Sequence, residues 1–262
     1  RPEHLIAWWS RIFSFYVPGD KDRIELRSLC RLYRDALKPP PVWTTFPHPS
    51  HPSLSLDGFV KYLSTLFERN ITVPKLLFLK DGVYNLKGEV KINYSMMIIG
   101  AGRNKTFIRG GGFLIKGIKE EGKRVELKGM TINGSKKYVH GVVGSAGLSF
   151  LCVNITITQC GATGLCANNT RGRLINCVVT DCGMSGIRSS SNGLIELEGC
   201  QTKVERNGTN GFGGCYGLST SSTASIHLLS PLTKESVSVN NGGKGDCGGD
   251  GVIFEVVAFG ER

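Results

Sequence analysis

The apolar positions of the chain follow two different patterns. From residue 75 onwards they form runs of three to seven residues, each bounded by Gly or Asn, as is typical of short β-strands joined by tight turns. Before residue 75 they recur at helical spacing, most clearly over residues 24–37 and 57–69. The pattern therefore predicts a helical start followed by a long strand-rich part.

One unit of the strand-rich part occurs twice. The stretch ITQCGATGL (Ile157–Leu165) returns 22 residues later as VTDCGMSGI (Val179–Ile187), and looser copies begin near Val204 and Val239. A coil of this length cannot bury its apolar face alone, so repeats of this kind stack into a solenoid.

Matched positions of the repeat predict stacks of side chains along the solenoid. Their side chains are apolar or small, as inward-facing positions require. The first stack is expected to contain Leu148, Leu174, Leu194 and Ile226, which open successive coils. The second is expected to contain the pairs Ile155/Ile157, Cys177/Val179, Thr202/Val204 and Val237/Val239, and the third Leu165, Ile187, Leu218 and Val252. Cys160, Cys182 and Asn207 are expected to form an inward turn ladder.

These patterns divide the chain into three parts. Residues 1–41 are predicted to form a helical module, residues 42–56 an irregular Pro-rich linker, and residues 57–262 the solenoid with its N-terminal capping helix. That helix is expected to begin at a cap on Ser55 or Asp57 and to share one face among Phe59, Leu63, Leu66 and Phe67. Two Gly-rich inserts, residues 209–215 and 242–251, are expected to project from the stack.

The opening of the strand-rich part resembles a known family. The segments DGVY (81–84), IIGAG (98–102), TFI (106–108) and VELKGMTI (125–132) follow one another as they do at the start of right-handed parallel β-helix proteins of the pectin-lyase-like superfamily. The resemblance covers roughly residues 71–257. It implies a mainly β fold, a right-handed parallel β-helix.

The helical start is similar to a second family. The segment LRSLCRLYR (26–34) resembles the second half of an F-box, and PEHLI (2–6) with IFSF (12–15) resembles its first half, with about three extra residues between them. An F-box binds the Skp-type adaptor of a cullin–RING ubiquitin ligase, and the attached domain selects the substrate. The residues that would divide between a small core and the adaptor surface are Leu5, Ile6, Ile12, Phe13, Leu26, Leu29 and Tyr33. The alternative is an amphipathic helix pair packed against the next domain.

The net charge of +11 is concentrated in one part of the chain. Residues 71–140 hold fourteen basic and five acidic side chains, whereas residues 141–262 carry a net charge of −1. Such a region attracts acidic polymers. Nucleic acid is not an expected partner, because no aromatic interleaving or nucleic-acid module accompanies the charge, and a solvated basic face is the plainer interpretation.

The nine cysteines lack zinc-type pairing, and those in the repeat recur at the spacing of the coils. They predict stacked reduced thiols and an intracellular protein, cytoplasmic or nuclear. Seven Asn-x-Ser/Thr triplets keep secretion as the alternative. No secretory signal or membrane span is visible, so no membrane partner is expected.

Catalytic candidates are few. The best constellation is Asp181 with Arg188, Lys203 and Arg206, but Asp181 aligns with Gln159 in the previous coil, so no acidic column stands there. His48 with His51, and Asp246 with Asp250, supply too few ligands for a metal, and we expect neither a metal nor another cofactor.

Three functions remain open from the sequence. The first is a non-enzymatic F-box-like adaptor whose β-helix recognises an unidentified protein or glycan substrate. The second is a polysaccharide lyase or glycoside hydrolase of the pectin-lyase-like fold. The third is a passive β-helix that binds an acidic glycan or nucleic acid, with binding that weakens steeply with salt.

Overall fold

The computed structural model describes residues 43–48, 50–51, 53–119, 122–135, 137–211 and 213–256. Over this part the chain is a parallel β-solenoid of about seven turns, which confirms the predicted mainly β solenoid. The predicted helical module at residues 1–41 lies outside the described residues.

Each coil contributes one strand to each of three sheets, and the pairs from β2 to β23 are parallel. The first sheet has nine strands: β1 (Trp43–Phe46), β2 (Leu76–Leu79), β5 (Met97–Gly100), β8 (Arg124–Lys128), β11 (Ser149–Val153), β14 (Arg171–Ile175), β17 (Leu194–Glu198), β20 (Ser225–Leu229) and β23 (Val252–Val256). The second has seven: β3 (Gly82–Asn85), β6 (Thr106–Arg109), β9 (Thr131–Asn133), β12 (Thr156–Thr158), β15 (Val178–Thr180), β18 (Lys203–Glu205) and β21 (Ser238–Val239). The third has seven: β4 (Val90–Ile92), β7 (Phe113–Ile115), β10 (Val142–Ser145), β13 (Leu165–Asn168), β16 (Ile187–Ser190), β19 (Leu218–Thr220) and β22 (Cys247–Gly249).

Alternating side chains of the strands fill the interior. In β17, Ile195 and Leu197 are fully buried while Glu196 and Glu198 face outward. Stacked positions compensate one another in volume: a Cβ added at Gly172 would lie 2.2 Å from the ring of Phe150 in the previous coil. The large ring therefore occupies the space that a glycine leaves, as close packing of an interior requires.

The register corrects the first predicted stack. Leu174 pairs with Cys152 and Leu197, and Ile226 pairs with Ile195. Leu148 lies before β11, and Leu194 pairs with Arg171, so neither belongs to the stack of Leu174.

The other two predicted stacks are confirmed except at their ends. Ile157, Val179 and Val204 stack as predicted, but the next position holds Ser238, not Val239. Leu165, Ile187 and Leu218 also stack as predicted, but Cys247 follows them, and Val252 lies in the first sheet opposite Ser225. The errors fall where coil lengths change, because residue counting then loses the hydrogen-bond register.

The helix predicted over residues 57–69 is present as α1 (Leu56–Glu68). The hydroxyl of Ser55 accepts a hydrogen bond from the backbone N–H of Gly58 at 3.4 Å, which caps the helix start. Its buried side chains are Leu56, Phe59, Val60 and Leu63, while Phe67 is 44% exposed, contrary to its predicted place on the buried face. The helix packs against β4 and joins the core of the first coils.

The predicted irregular linker contains a strand. Residues 43–46 form β1, and the buried side chain of Phe46 packs 5.6 Å from the rings of both Phe59 and Tyr84. The interpretation of residues 42–56 as wholly irregular is therefore wrong for this stretch, because two threonines between the aromatic residues Trp43 and Phe46 favour a strand.

The two Gly-rich segments differ. Residues 209–211 and 213–214 are exposed, whereas Cys215 is buried. The second segment, predicted to project, instead contains β22, which pairs with β19. A short helix, α2 (Lys234–Val237), lies between β20 and β21. In the part of the chain that the structure describes, no helix combines the length and apolar character needed to cross a bilayer.

Candidate binding groove on the first coils

Two of the four catalytic candidates lie together. Asp181 and Arg206 follow neighbouring strands of the second sheet, and Nε of Arg206 donates to Oδ1 of Asp181 at 3.0 Å. The guanidinium also donates to Glu205 at 2.6 Å and to the hydroxyl of Thr180 at 2.9 Å. One cation thus holds both nearby carboxylates.

The other two candidates point to different surroundings. The ammonium of Lys203, on β18, donates to the backbone carbonyl of Ser236. Arg188 is exposed on β16 in the third sheet, where its register partners are Cys166 and Ser219. The predicted constellation is therefore not a single site.

The pairing of Asp181 also decides its chemistry. Hydrogen bonds from Arg206, with help from Thr180, hold the pKa of Asp181 below its usual range despite partial burial. A glycosidase needs a carboxylic acid that stays protonated to serve as general acid, which requires a raised pKa. The environment of Asp181 lowers its pKa, which is the opposite of what a general acid needs.

We expect the substitution Asp181→Asn to lower stability slightly at neutral pH, moving the thermal midpoint by a few degrees at most, because an exposed ion pair contributes little. The native pKa is depressed, so the contribution is present at neutral pH and lost as the pH falls below about 4. Urea denaturation of both proteins at neutral and acid pH measures this. A large loss, or one that persists in acid, would contradict a simple surface ion pair.

Sequence reasoning missed Glu205 and Thr180 as partners of Arg206. One feature of the sequence indicates that Asp181 and Arg206 are neighbours: Gln159, Asp181 and Arg206 occupy the same turn position in successive coils. All three adopt left-handed backbone with φ between 52° and 56°. A residue held in this way projects from the corner next to its neighbours in the stack.

The interior turn ladder is present as predicted and extends further. The side chain of Asn207 accepts from the backbone N–H of Cys182 at 3.1 Å and donates to Asn241 in the next coil at 3.0 Å. The described cysteines form no disulfide. Burial raises the pKa of Cys177 to about 11, so this thiol stays protonated at neutral pH.

Side chains that could have held a metal have other partners. His48 stacks on Phe59 at 5.4 Å, and its Nδ1 accepts from the backbone N–H of Ser50. Asp246 accepts two hydrogen bonds from Asn241, at 2.9 Å and 2.8 Å. Among the described residues, no group of three or more His, Cys, Asp or Glu side chains could coordinate an ion.

A groove of about 600 Å³ lies on the first coils, between the end of α1 and the turns that follow β4, β7 and β10. Its walls come from three successive coils, so the solenoid itself sets their spacing. We call it the first-coil groove, and its lining residues are Phe67, Asn70, Ile71, Thr72, Val73, Lys75, Asn93, Tyr94, Ser95, Gly117, Ile118, Lys123 and Leu148.

The first-coil groove is largely apolar. Val73 and Leu148 are buried, whereas Phe67, Ile71 and Ile118 are 44%, 48% and 79% exposed. Exposed apolar side chains that cluster around a concave surface are typical of interaction sites rather than of ordinary surface.

An aromatic pair gives the groove a fixed wall. The ring of Phe67 stacks on that of Tyr94 at a centroid distance of 4.9 Å, and the hydroxyl of Tyr94 donates to the backbone carbonyl of Pro74 at 3.3 Å. Burial raises the pKa of Tyr94 well above its usual value, so the phenol stays neutral. A buried Tyr with a hydrogen-bonded hydroxyl is a rigid support for its exposed neighbour.

Some polar side chains of the groove stabilise its walls by hydrogen bonds, and others bring positive charge to it. The amide of Asn93 donates to the carboxylate of Glu68 at 2.6 Å, which ties the end of α1 to the coil below it. Lys75 and Lys123 are exposed and bring positive charge to the lining. The groove thus combines an apolar surface with two cationic side chains.

The sequence located the basic coils but not the groove. Phe67 was assigned to the buried face of a helix, and Ile118 lies in a turn where no periodicity gives its direction. The predicted adaptor-binding residues Leu5, Ile6, Ile12, Phe13, Leu26, Leu29 and Tyr33 lie outside the described residues.

The class of protein that these observations define is a parallel β-solenoid with an apolar, basic groove on its first coils. No protein-family model and no curated protein matches the chain. Among solved structures, the Agl-KA catalytic domain is similar at 14% sequence identity and a TM-score of 0.40. The match covers 82% of this chain and 48% of that structure, so the chain spans about half its length.

Proposed function

We propose that the chain is a non-enzymatic binding protein: an F-box-like adaptor whose right-handed, pectin-lyase-like β-helix recognises a substrate for a cullin–RING ubiquitin ligase. In this proposal residues 1–41 bind a Skp-type adaptor, and the solenoid holds the substrate. The protein would then act inside the cell, in the cytoplasm or nucleus.

The observation that supports binding most strongly is the first-coil groove. It is a concave, mostly apolar surface within the size range of ligand sites, formed by the end of α1 and by turns between strands of the solenoid. The one acidic candidate for catalysis, Asp181, is paired with Arg206, which also holds Glu205. The attachment to a ligase rests on the segments 2–15 and 22–34, which resemble an F-box.

The purified 262-residue chain, mixed with a purified Skp-type adaptor, is expected to retain the adaptor on an affinity resin. The variants Phe13→Asp and Leu29→Asp should weaken this binding by at least about thirtyfold, the effect of removing a central apolar contact of an interface. Titration by calorimetry gives the dissociation constants.

The matched control is Val83→Asp, which places the same charge on a strand residue of the solenoid that is 47% exposed. It should bind the adaptor like the unmodified chain. If the folded, monodisperse chain does not bind the adaptor, the proposed attachment is wrong.

A further inference from the structure

We infer that the first-coil groove binds a peptide segment in which a large apolar side chain is flanked by carboxylates. This inference rests on the proposed function and names the chemistry of the substrate that the solenoid would select. It commits to a protein segment, and other occupants become outcomes of the test.

The apolar part of the peptide would contact Ile71, Ile118 and the exposed edge of Phe67. When the groove is empty, these three apolar side chains expose much of their surface to water, and a bound peptide would cover that surface. Burial of apolar area at about 25 cal/mol per Å² makes such a cluster the natural seat of an anchoring Leu, Met or Phe. Because Phe67 is stacked on Tyr94, the wall is already ordered before binding.

The carboxylates follow from the charge around the groove. Lys75 belongs to its lining, and residues 71–140 as a whole carry nine more positive than negative charges. A field of one sign over a low-dielectric surface attracts and orients opposite charges. An acidic peptide therefore complements the groove both at the lining and in the surrounding coils.

The same residues disfavour other acidic ligands. Single-stranded nucleic acid needs exposed aromatic faces on which bases stack, but Tyr94 is only 3% exposed and covers one face of Phe67. An acidic glycan is recognised through many hydrogen bonds to hydroxyl groups. Asn70 and Thr72 are exposed in the lining, but the neighbouring Ile71, Ile118 and Phe67 offer a glycan no hydrogen bond.

The test selects short random peptides, displayed on phage, on the 262-residue chain immobilised by a terminal tag. Each round includes a counter-selection against the variant Ile118→Asp, whose altered side chain is 79% exposed in the native chain and so should not disturb folding. The expected result is enrichment of sequences with Asp or Glu on both sides of a large apolar residue. Enrichment of basic or uncharged sequences, or no enrichment, would overturn the inference.

An enriched peptide carrying a fluorophore is then titrated with chain variants by fluorescence anisotropy. Ile71→Asp and Ile118→Asp should each raise the dissociation constant at least about tenfold, and Lys75→Glu should raise it several-fold and reduce its salt dependence. The matched controls Val83→Asp and Lys244→Glu, both at exposed positions outside the lining, should leave it unchanged.

Equal binding by the groove variants and the controls would show that the peptide binds elsewhere and would contradict the inference. Preferential displacement of the peptide by anionic phospholipid vesicles or by polyuronate, rather than by unlabelled peptide, would assign the groove to those ligands instead. The result is separable from the adaptor test, because Leu29→Asp should keep peptide binding and Ile118→Asp should keep adaptor binding.

Discussion

The substitution Gly164→Ala is expected to destabilise the solenoid by about 3 kcal/mol or more, near the upper end of the cost of overpacking a core. A Cβ at this position would lie 2.4 Å from Cγ1 of Val179 and 2.7 Å from the backbone oxygen of Gly186. The valine methyl is fully buried, and the carbonyl belongs to the next coil, so neither can move without displacing the stack.

The same loss of stability is expected at the equivalent glycines of the neighbouring coils. A Cβ at Gly141 would lie 2.3 Å from Cγ2 of Ile157, and one at Gly186 would lie 2.5 Å from Cγ1 of Val204. At the start of β10, β13 and β16 the chain thus passes directly over an aliphatic side chain of the second sheet.

Urea denaturation followed by circular dichroism measures the loss, with Gly88→Ala as the control. A Cβ at Gly88 meets no atom within 4 Å, and its backbone is not left-handed. Equal stability of the Gly164→Ala and Gly88→Ala variants would mean that the coils are packed less closely than the structure describes.

The substitution Asn207→Ala is expected to cost about 3 kcal/mol, since each buried polar group left without a partner costs about 1–3 kcal/mol. The Asn207 side chain is fully buried and donates to the carbonyls of Val179 and Glu205, at 3.1 Å and 3.0 Å. It also accepts from Cys182 and donates to Asn241, so its removal disrupts polar contacts in three coils.

Thermal and urea unfolding again provide the measurement, and Asn210→Ala is the matched control. Asn210 is exposed and donates to a single acceptor, the carbonyl of Gly161, at 3.1 Å. Its truncation should cost far less because water can replace the lost bond. If both variants lose the same stability, the ladder of turn side chains does not hold the coils together.

Much of the fold could be predicted from the repeat because its positions carry a strong physical constraint. Cys160, Cys182 and Asn207 face inward at a turn, and only small or hydrogen-bonded side chains fit there. The register of the first sheet could not be predicted in the same way. Leu148, Leu174 and Leu194 are all apolar, but only the hydrogen bonds between strands decide which of them share a column.

The first-coil groove was beyond sequence reasoning for a related reason. Phe67, Tyr94 and Ile118 lie far apart in the chain and belong to a helix end and two turns, where the apolar pattern has no fixed period. Asp181 and Arg206 were predicted to lie in one catalytic constellation, yet the function assigned to them required a pKa shift that their mutual pairing reverses.

The most direct test of the proposed function is the mass of the particle that forms when the 262-residue chain and a Skp-type adaptor are mixed at equal concentration. The mass is measured by size exclusion with light scattering. We predict one peak whose mass is the sum of the 28.4 kDa chain and one adaptor molecule. The Leu29→Asp variant should give two separate peaks. Two separate peaks from the unmodified, folded chain would contradict the proposal that it is an F-box-like adaptor.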